Sequence, residues 1–154
     1  MRGEIDQLLF LIDTAYDHVS WHGTNLRGSL RGVTPRQAAW RPGPRRHNIW
    51  EIVVHAAYWK YVVTRRLTGA PRGSFALKGS NWFLRDGGTH AAWRADVDLL
   101  DRTHATLRET IARLPARALN RRAGSKVTHF DLIAGVAAHD IYHAGQIQLL
   151  KKLQ

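Results

Sequence analysis

Two histidines near the end of the chain, His139 and His143, have the type and spacing of metal ligands. Residues four apart on an α-helix lie only about 40° apart around its axis, with Cβ atoms about 5–6 Å apart, so both imidazoles can reach one ion. The segment also carries an apolar stripe that includes both histidine positions and is formed by Leu132, Val136, Ile147 and Leu150. The pattern predicts two imidazoles that point into the protein.

His55 is the candidate for a third ligand, which is needed because two imidazoles alone make a weak metal site. The chain has no cysteine, and this excludes thiolate ligands, disulfides and a cysteine nucleophile. His55 lies near the start of a second apolar segment, on the edge of its inner face. If the two segments are neighbouring helices, three imidazoles bind one side of a divalent ion and leave positions open for water or substrate. The alternative is that His139 and His143 are hydrogen-bonded core residues, although burying two imidazoles without a metal is costly.

Further polar residues lie close to these ligands in sequence. Metal-bound histidines usually donate their second N–H group to a carboxylate, a carbonyl or water. Glu51 and Gln146 each lie about one turn from a predicted ligand and are candidates for that role. The catalytic group itself could be a metal-bound water or thiolate. Further candidates for lining a pocket or acting as a general base are Tyr58, Glu51 and His104. A single histidine in an apolar stripe, as His104 is, is more often a hydrogen-bonded core residue.

A second histidine pair, His18 and His22, has the same four-residue spacing. On the helix expected there, both side chains lie about 80–120° from the centre of the apolar stripe. We therefore expect them to be surface or rim residues and not metal ligands.

Four long segments repeat apolar residues at three- and four-residue steps, which is typical of amphipathic helices. The expected helices run from Glu4 to Leu30, from Asn48 to just before Gly69, from Thr89 to Pro115 and from Thr128 to Leu153. Asn48 with Glu51 and Thr128 with Asp131 have capping-box patterns. Thr34-Pro35 starts a short extra helix between the first and second long ones.

No segment alternates with period two, so no strand is expected, and the prediction is an all-α four-helix bundle that forms a single domain over residues 1–154. The connection from Gly69 to Gly88 has no periodicity, and the aromatic residues of Asn81-Trp82-Phe83-Leu84 should fold back onto the bundle. At about twenty residues it is long enough to cross the bundle, so a simple up-down-up-down order is not assured.

The second long helix is apolar nearly all the way round, and a helix of that kind is buried on every side. Its second face is formed by Trp50, Val54, Tyr58 and Tyr61. In a chain this small, that face should meet another subunit or a covering loop, and we expect a homodimer.

The net charge of +11 comes from 23 basic residues, of which 18 are arginines spread over several segments. A nucleic-acid-binding protein typically carries a basic stripe on one helix, which this sequence lacks. Solvated arginine-rich loops are therefore favoured over polyanion binding as the reason for the charge. Glu51, His55 and Lys60 interrupt the longest apolar segment, and no membrane span is expected. Glu4 and Asp6 stand where a signal peptide is basic or apolar, so the expected location is cytoplasmic.

Asn-Ile-Trp-Glu-Ile-Val-Val-His55-Ala-Ala-Tyr-Trp and Ala-His139-Asp-Ile-Tyr-His143-Ala-Gly-Gln-Ile together resemble the DinB/YfiT-like superfamily. The resemblance covers essentially the whole chain. It implies a four-helix bundle of up-down-down-up topology, often dimeric, with zinc or nickel held by His55, His139 and His143. It also implies the activities of characterised relatives, which include thiol-dependent transferases using mycothiol, bacillithiol or glutathione, and metal-dependent hydrolases.

The sequence therefore predicts a metal-dependent enzyme that acts on a small molecule. The candidate substrate is a low-molecular-weight thiol whose carboxylates bind arginines. In a hydrolase, the ion would lower the pKa of its bound water to about 7. In a transferase, it would bind a substrate thiol as the thiolate. The alternatives are a stress-associated protein that binds a metal or ligand without turnover and, less favoured, a basic nucleic-acid-binding module. Three imidazoles accept zinc, nickel, copper or iron, and availability often decides among them.

Overall fold

The computed structural model describes residues 3–124 and 126–154. Over these residues it has six α-helices and one 3₁₀ turn, Ala116–Ala118: α1 Glu4–Tyr16, α2 Leu26–Ser29, α3 Pro35–Ala39, α4 Ile49–Thr68, α5 His90–Ala112 and α6 His129–Lys152. The described residues form no strand, and their extended pairing is one isolated bridge between Arg122 and Thr128. No helix among them is long and apolar enough to cross a membrane.

Side-chain caps fix where most of these helices begin. The side chain of Asn48 accepts a hydrogen bond from the Glu51 N–H (2.8 Å) at the start of α4. Thr128 and Asp131 form a complete capping box before α6, and Thr34 does the same with Gln37 before α3. Each bond satisfies an N–H group that has no partner inside its helix. The expected second, third and last long helices and the short extra helix are confirmed.

The first helix ends at Tyr16, so the expected extension to Leu30 is wrong. The chain leaves the helix at Asp17, passes through Gly23 at a φ of +99° and resumes as the short α2, which Asn25 caps. The Asn25 side chain also donates to the His18 carbonyl (2.8 Å). Side chains of this type compete with helical hydrogen bonds and stabilise turns. Consequently His18 and His22 do not share a helix face.

Contacts between the helices define the order of the bundle. Tyr16 bonds Asp101 and Asp13 bonds Arg108, so α1 and α5 are antiparallel. The start of α4 meets the start of α5, where Trp50 Nε1 donates to Asp96 (2.7 Å). The ends of both helices share an apolar cluster. These two helices are therefore parallel.

Helix α6 runs antiparallel to α4, because His55 lies against His143 while Lys60 bonds Asp140. Taken with the other contacts, this gives the up-down-down-up order. Most of the second face of α4 is covered within the same chain. Trp50 and Val54 are buried in the bundle, and Tyr58 packs against Phe83 of the connection (ring centroids 5.7 Å apart). The homodimer stays a prediction.

Candidate metal centre

Helices α4 and α6 bring the three predicted ligands together at one point between them. The Nε2 atom of His139 lies 3.1 Å from Nε2 of His55 and 3.0 Å from Nε2 of His143. One ligand nitrogen of each ring lies within 4.8 Å of the other two. Three nitrogens bound to one ion at about 2.0–2.1 Å are themselves about 3 Å apart, so this grouping fits a divalent metal.

Hydrogen bonds at the far side of two rings fix which nitrogen carries the proton. The Nδ1–H of His55 donates to the Asn81 carbonyl (2.8 Å), and the Nδ1–H of His143 donates to Oε1 of Gln146 (2.7 Å). In a neutral imidazole the other nitrogen is then an acceptor, so two Nε2 lone pairs point at His139. A proton on His139 Nε2 can satisfy only one of them. A cation accepts all three Nε2 lone pairs at once, and this is the chemistry that the donor set fits. Nδ1 of His139 has no hydrogen-bond partner among the described residues.

Burial keeps these imidazoles uncharged at neutral pH. It lowers the pKa of His55 to about 4 and that of His139 to about 3, and it also lowers the pKa of His143. For His139, the two neighbouring imidazoles and Lys60 act in the same direction. Because metals bind the neutral form, the site is ready to bind an ion without first releasing protons.

The connection between α4 and α5 closes one side of the centre. The Trp82 ring is stacked between the imidazoles of His55 (3.8 Å between centroids) and His47 (3.5 Å). Asn81 has a φ of +64° and accepts a hydrogen bond from Trp59 Nε1 (3.0 Å). Asparagine tolerates this left-handed conformation better than most residues. The expectation that these aromatic residues fold back onto the bundle is confirmed.

A family model described as the DinB superfamily matches residues 18–147, a range that includes the three histidines. The chain belongs to the DinB superfamily. Comparison with curated proteins and with solved structures gives no significant match. The all-α bundle is the fold expected for this DinB protein from its sequence, and its buried three-histidine group can bind a metal ion.

The structure corrects the role expected for Glu51, which does not reach His55. Its carboxylate accepts hydrogen bonds from Arg41 (2.6 Å), from His47 (2.9 Å) and from the Arg85 N–H (3.2 Å). Burial alone would raise the pKa of Glu51, but the hydrogen bonds from Arg41 and His47 outweigh it and lower the pKa to about 2. Glu51 therefore ties two loops to the start of α4, and a backbone carbonyl takes the place beside His55.

The other three predicted site residues lie in different surroundings. Gln146 contacts His143, as described above. Tyr58 packs against Phe75 and Phe83 in a basin beside the metal centre. His104 is stacked on Tyr16 (3.6 Å between centroids), outside the three-histidine group, and burial lowers its pKa to about 2. Its Nδ1 atom has no hydrogen-bond partner among the described residues.

Next to the three histidines, Lys60 of α4 and Asp140 of α6 form a fully buried ion pair. Nothing in the sequence indicated Lys60 as the partner of Asp140. Asn81, Trp82 and Trp59 were also missed as residues around the ligands. The one available signal was the residue type of Asn81, because asparagine is common in left-handed turns. Its backbone carbonyl, which accepts the bond from His55, has no signature in the sequence.

Proposed function

We propose that this DinB protein is a metal-dependent enzyme for small molecules, with zinc or nickel held by His55, His139 and His143. The observation that carries the proposal is the convergence of three Nε2 atoms on one point. The Nδ1–H groups of His55 and His143 donate to Asn81 and Gln146, which leaves the Nε2 atoms of these two rings unprotonated. A purely structural cluster of buried histidines would instead pair each lone pair with a donor. We further propose a cytoplasmic location.

The chain's own residues would bind and orient the ion from one side. Two rings are held in place by the Asn81 carbonyl and by Gln146, which fixes their tautomers and orientation. Trp82 covers one face of His55, and Trp59 stands edge-on to both His55 and His139, so these rings limit access of water. A bound divalent ion would supply Lewis acidity on the side that the three histidines leave open.

Thiol transfer and hydrolysis both fit this arrangement, since each needs a Lewis acid beside a sheltered substrate pocket. The family resemblance includes relatives of both kinds, so thiol S-transfer and hydrolysis are the two candidate reactions. The three ligands leave the choice between zinc and nickel open.

Metal binding is the first test. Metal-free protein should bind one zinc or nickel ion per chain in calorimetric titration, and His139→Ala and His143→Ala should each abolish tight binding. His22→Ala is the matched control, because His22 is exposed on the loop after α1. Metal binding that survives both ligand substitutions would refute the site. A loaded protein that turns over neither thiol–electrophile pairs nor hydrolysable esters and amides would support the alternative of a protein that binds a metal or ligand without turnover.

A further inference from the structure

A large basin lies beside the metal centre, between the second half of α4 and the connection that follows it. Its volume is about 1260 Å³. Four aromatic side chains, those of Tyr58, Trp59, Tyr61 and Phe75, form part of its wall. The same basin is lined by five basic side chains, namely Arg65, Arg66, Arg72, Lys78 and Arg122.

The positive charge of this basin is not balanced from within it. Among the described residues that line it, none is acidic. Arg65, Arg66, Arg72 and Lys78 take part in none of the ion pairs within 4.0 Å that the described residues form. Five arginines outside the basin do have a carboxylate partner, as Arg108 has in Asp13. A concave surface lined by one sign of charge concentrates ligands of the opposite sign.

Two of the arginines are anchored by backbone carbonyls. Arg66 donates to the Ala123 carbonyl, and Arg65 donates to the Ala70 carbonyl (3.4 Å). A guanidinium has five N–H donors, so each arginine still has donors to offer to a phosphate or carboxylate. The phenol oxygen of Tyr61 accepts hydrogen bonds from the N–H and the hydroxyl of Ser74, and these bonds, with the charge of Arg65, lower the pKa of Tyr61.

The basin and the metal centre share a wall. Trp59 lines the basin and stands edge-on to His55 (6.4 Å between centroids) and to His139 (6.5 Å). Ser80 also lines the basin, and the next residue, Asn81, holds His55. The basin therefore extends from the arginines to residues that border the three histidines.

We propose that this basin binds an organic polyanion, a small molecule with at least two phosphate or carboxylate charges on an aromatic or apolar body. Binding follows from the basin alone, while delivery of that molecule to a metal ion rests on the proposed function. The aromatic wall receives the body of the ligand, and the basic residues receive its charges. The basic residues surround one concavity and do not form a stripe along a helix, which favours a small molecule over a nucleic-acid backbone.

The test uses 1-naphthyl phosphate as the probe, with naphthalene-1,4-dicarboxylate as the carboxylate arm. Inorganic phosphate and 1-naphthol serve as its two halves. In calorimetric titration of the full chain, at least one of the two anionic naphthalenes should bind with one molecule per chain. It should bind about tenfold more tightly than either half, and more weakly as salt increases. Halves that bind as well as the intact probe would overturn the proposal, and so would duplex DNA that displaces the probe at equal concentration.

Arginine substitutions then locate the binding site. Arg65→Gln combined with Arg72→Gln should weaken binding at least about tenfold. Arg94→Gln combined with Arg102→Gln removes the same charge from exposed positions on α5 and should leave the affinity unchanged. An equal loss in both double variants would mean a net-charge effect and would overturn the proposal.

Repeating the titration with metal-free protein and with His139→Ala separates this inference from the proposed function. The probe should bind to both, because neither change touches the basin. Probe binding without metal binding would refute the metal centre alone, and metal binding without probe binding would refute the basin alone.

Discussion

Replacing Lys60 with methionine should destabilise the protein strongly, whereas replacing Lys60 and Asp140 together should not. Both side chains are 0% exposed, and Nζ of Lys60 donates to Oδ2 of Asp140. The second carboxylate oxygen, Oδ1, has no hydrogen-bond partner among the described residues. The Tyr16 ring, with its centroid 4.8 Å from Nζ, is a further contact of the ammonium group. The pair is therefore enclosed but only partly satisfied.

The expected magnitude follows from this imbalance. Removing one partner of a buried ion pair leaves an uncompensated charge and typically costs about 3–5 kcal/mol. Burial already raises the pKa of Asp140, and the positive charge of Lys60 opposes that rise. Without Lys60 the carboxyl takes up a proton more readily, which places the cost near the lower end of that range. Replacing both residues by apolar ones removes the unpaired oxygen as well. The free energy of unfolding of the double variant, Lys60→Met with Asp140→Leu, should therefore be no more than about 1 kcal/mol below that of the parent, or should exceed it.

Urea unfolding of the metal-free protein measures both quantities in a double-mutant cycle, with equal m-values as the condition for comparison. The partly exposed pair of Arg108 and Asp13 gives the matched control. Its corresponding cycle, with Arg108→Met and Asp13→Leu, should show a coupling of about 1 kcal/mol or less. The reasoning would be refuted if Lys60→Met alone lowered the free energy of unfolding by less than about 1 kcal/mol. It would also be refuted if the double variant lost as much stability as the two single variants added together.

Two further predictions concern the residues around the histidines. Gln146→Leu should lower the metal affinity about 10–100-fold in calorimetric titration, because the Nδ1–H of His143 loses its acceptor. Gln148→Leu on the same helix should have no effect, and equal losses would contradict the assignment. Glu51→Gln should lower the free energy of unfolding by about 1–2 kcal/mol near neutral pH. The pKa of Glu51 lies at about 2 in the folded chain against an ordinary 4.5, and the effect is reduced because solvent screens the partly exposed Arg41. This contribution is present above about pH 4.5 and is lost as the pH falls towards 2, so unfolding curves of parent and variant should converge in acid, and a constant difference would argue against it.

The helix starts and the candidate metal ligands could be predicted because both depend on residue types at short spacing. Asn48 and Thr128 cap helices through bonds that span only three residues. His139 and His143 share a face through the pitch of a single helix. The partnership with His55 required one assumption about which helices are neighbours, and the apolar pattern of α4 made that assumption reasonable.

The features that could not be predicted depend on contacts between distant segments or on the backbone. Apolar periodicity continues through Val19 and Leu26, and nothing in the pattern shows that the helix has already ended at Tyr16. Glu51 has a local reason to cap its own helix, but Arg41 and Arg85 reach it from separate loops. Every residue type has a backbone carbonyl, so only the folded structure shows that the carbonyl of Asn81 is the one beside His55.

The topology itself explains why a loop residue supports the candidate ligand His55 in this bundle. Helix α4 has 20 residues and is therefore about 30 Å long. Because α5 runs parallel to it, the chain must return over that length before α5 can begin, and it does so between Gly69 and Thr89. His55 lies near the start of α4, so the last part of this return passes over it and places Asn81 and Trp82 against its ring. The first part of the same return lines the basic basin. An antiparallel α4–α5 hairpin would need only a short turn, and it would leave both the histidine without its carbonyl acceptor and the basin without its outer wall.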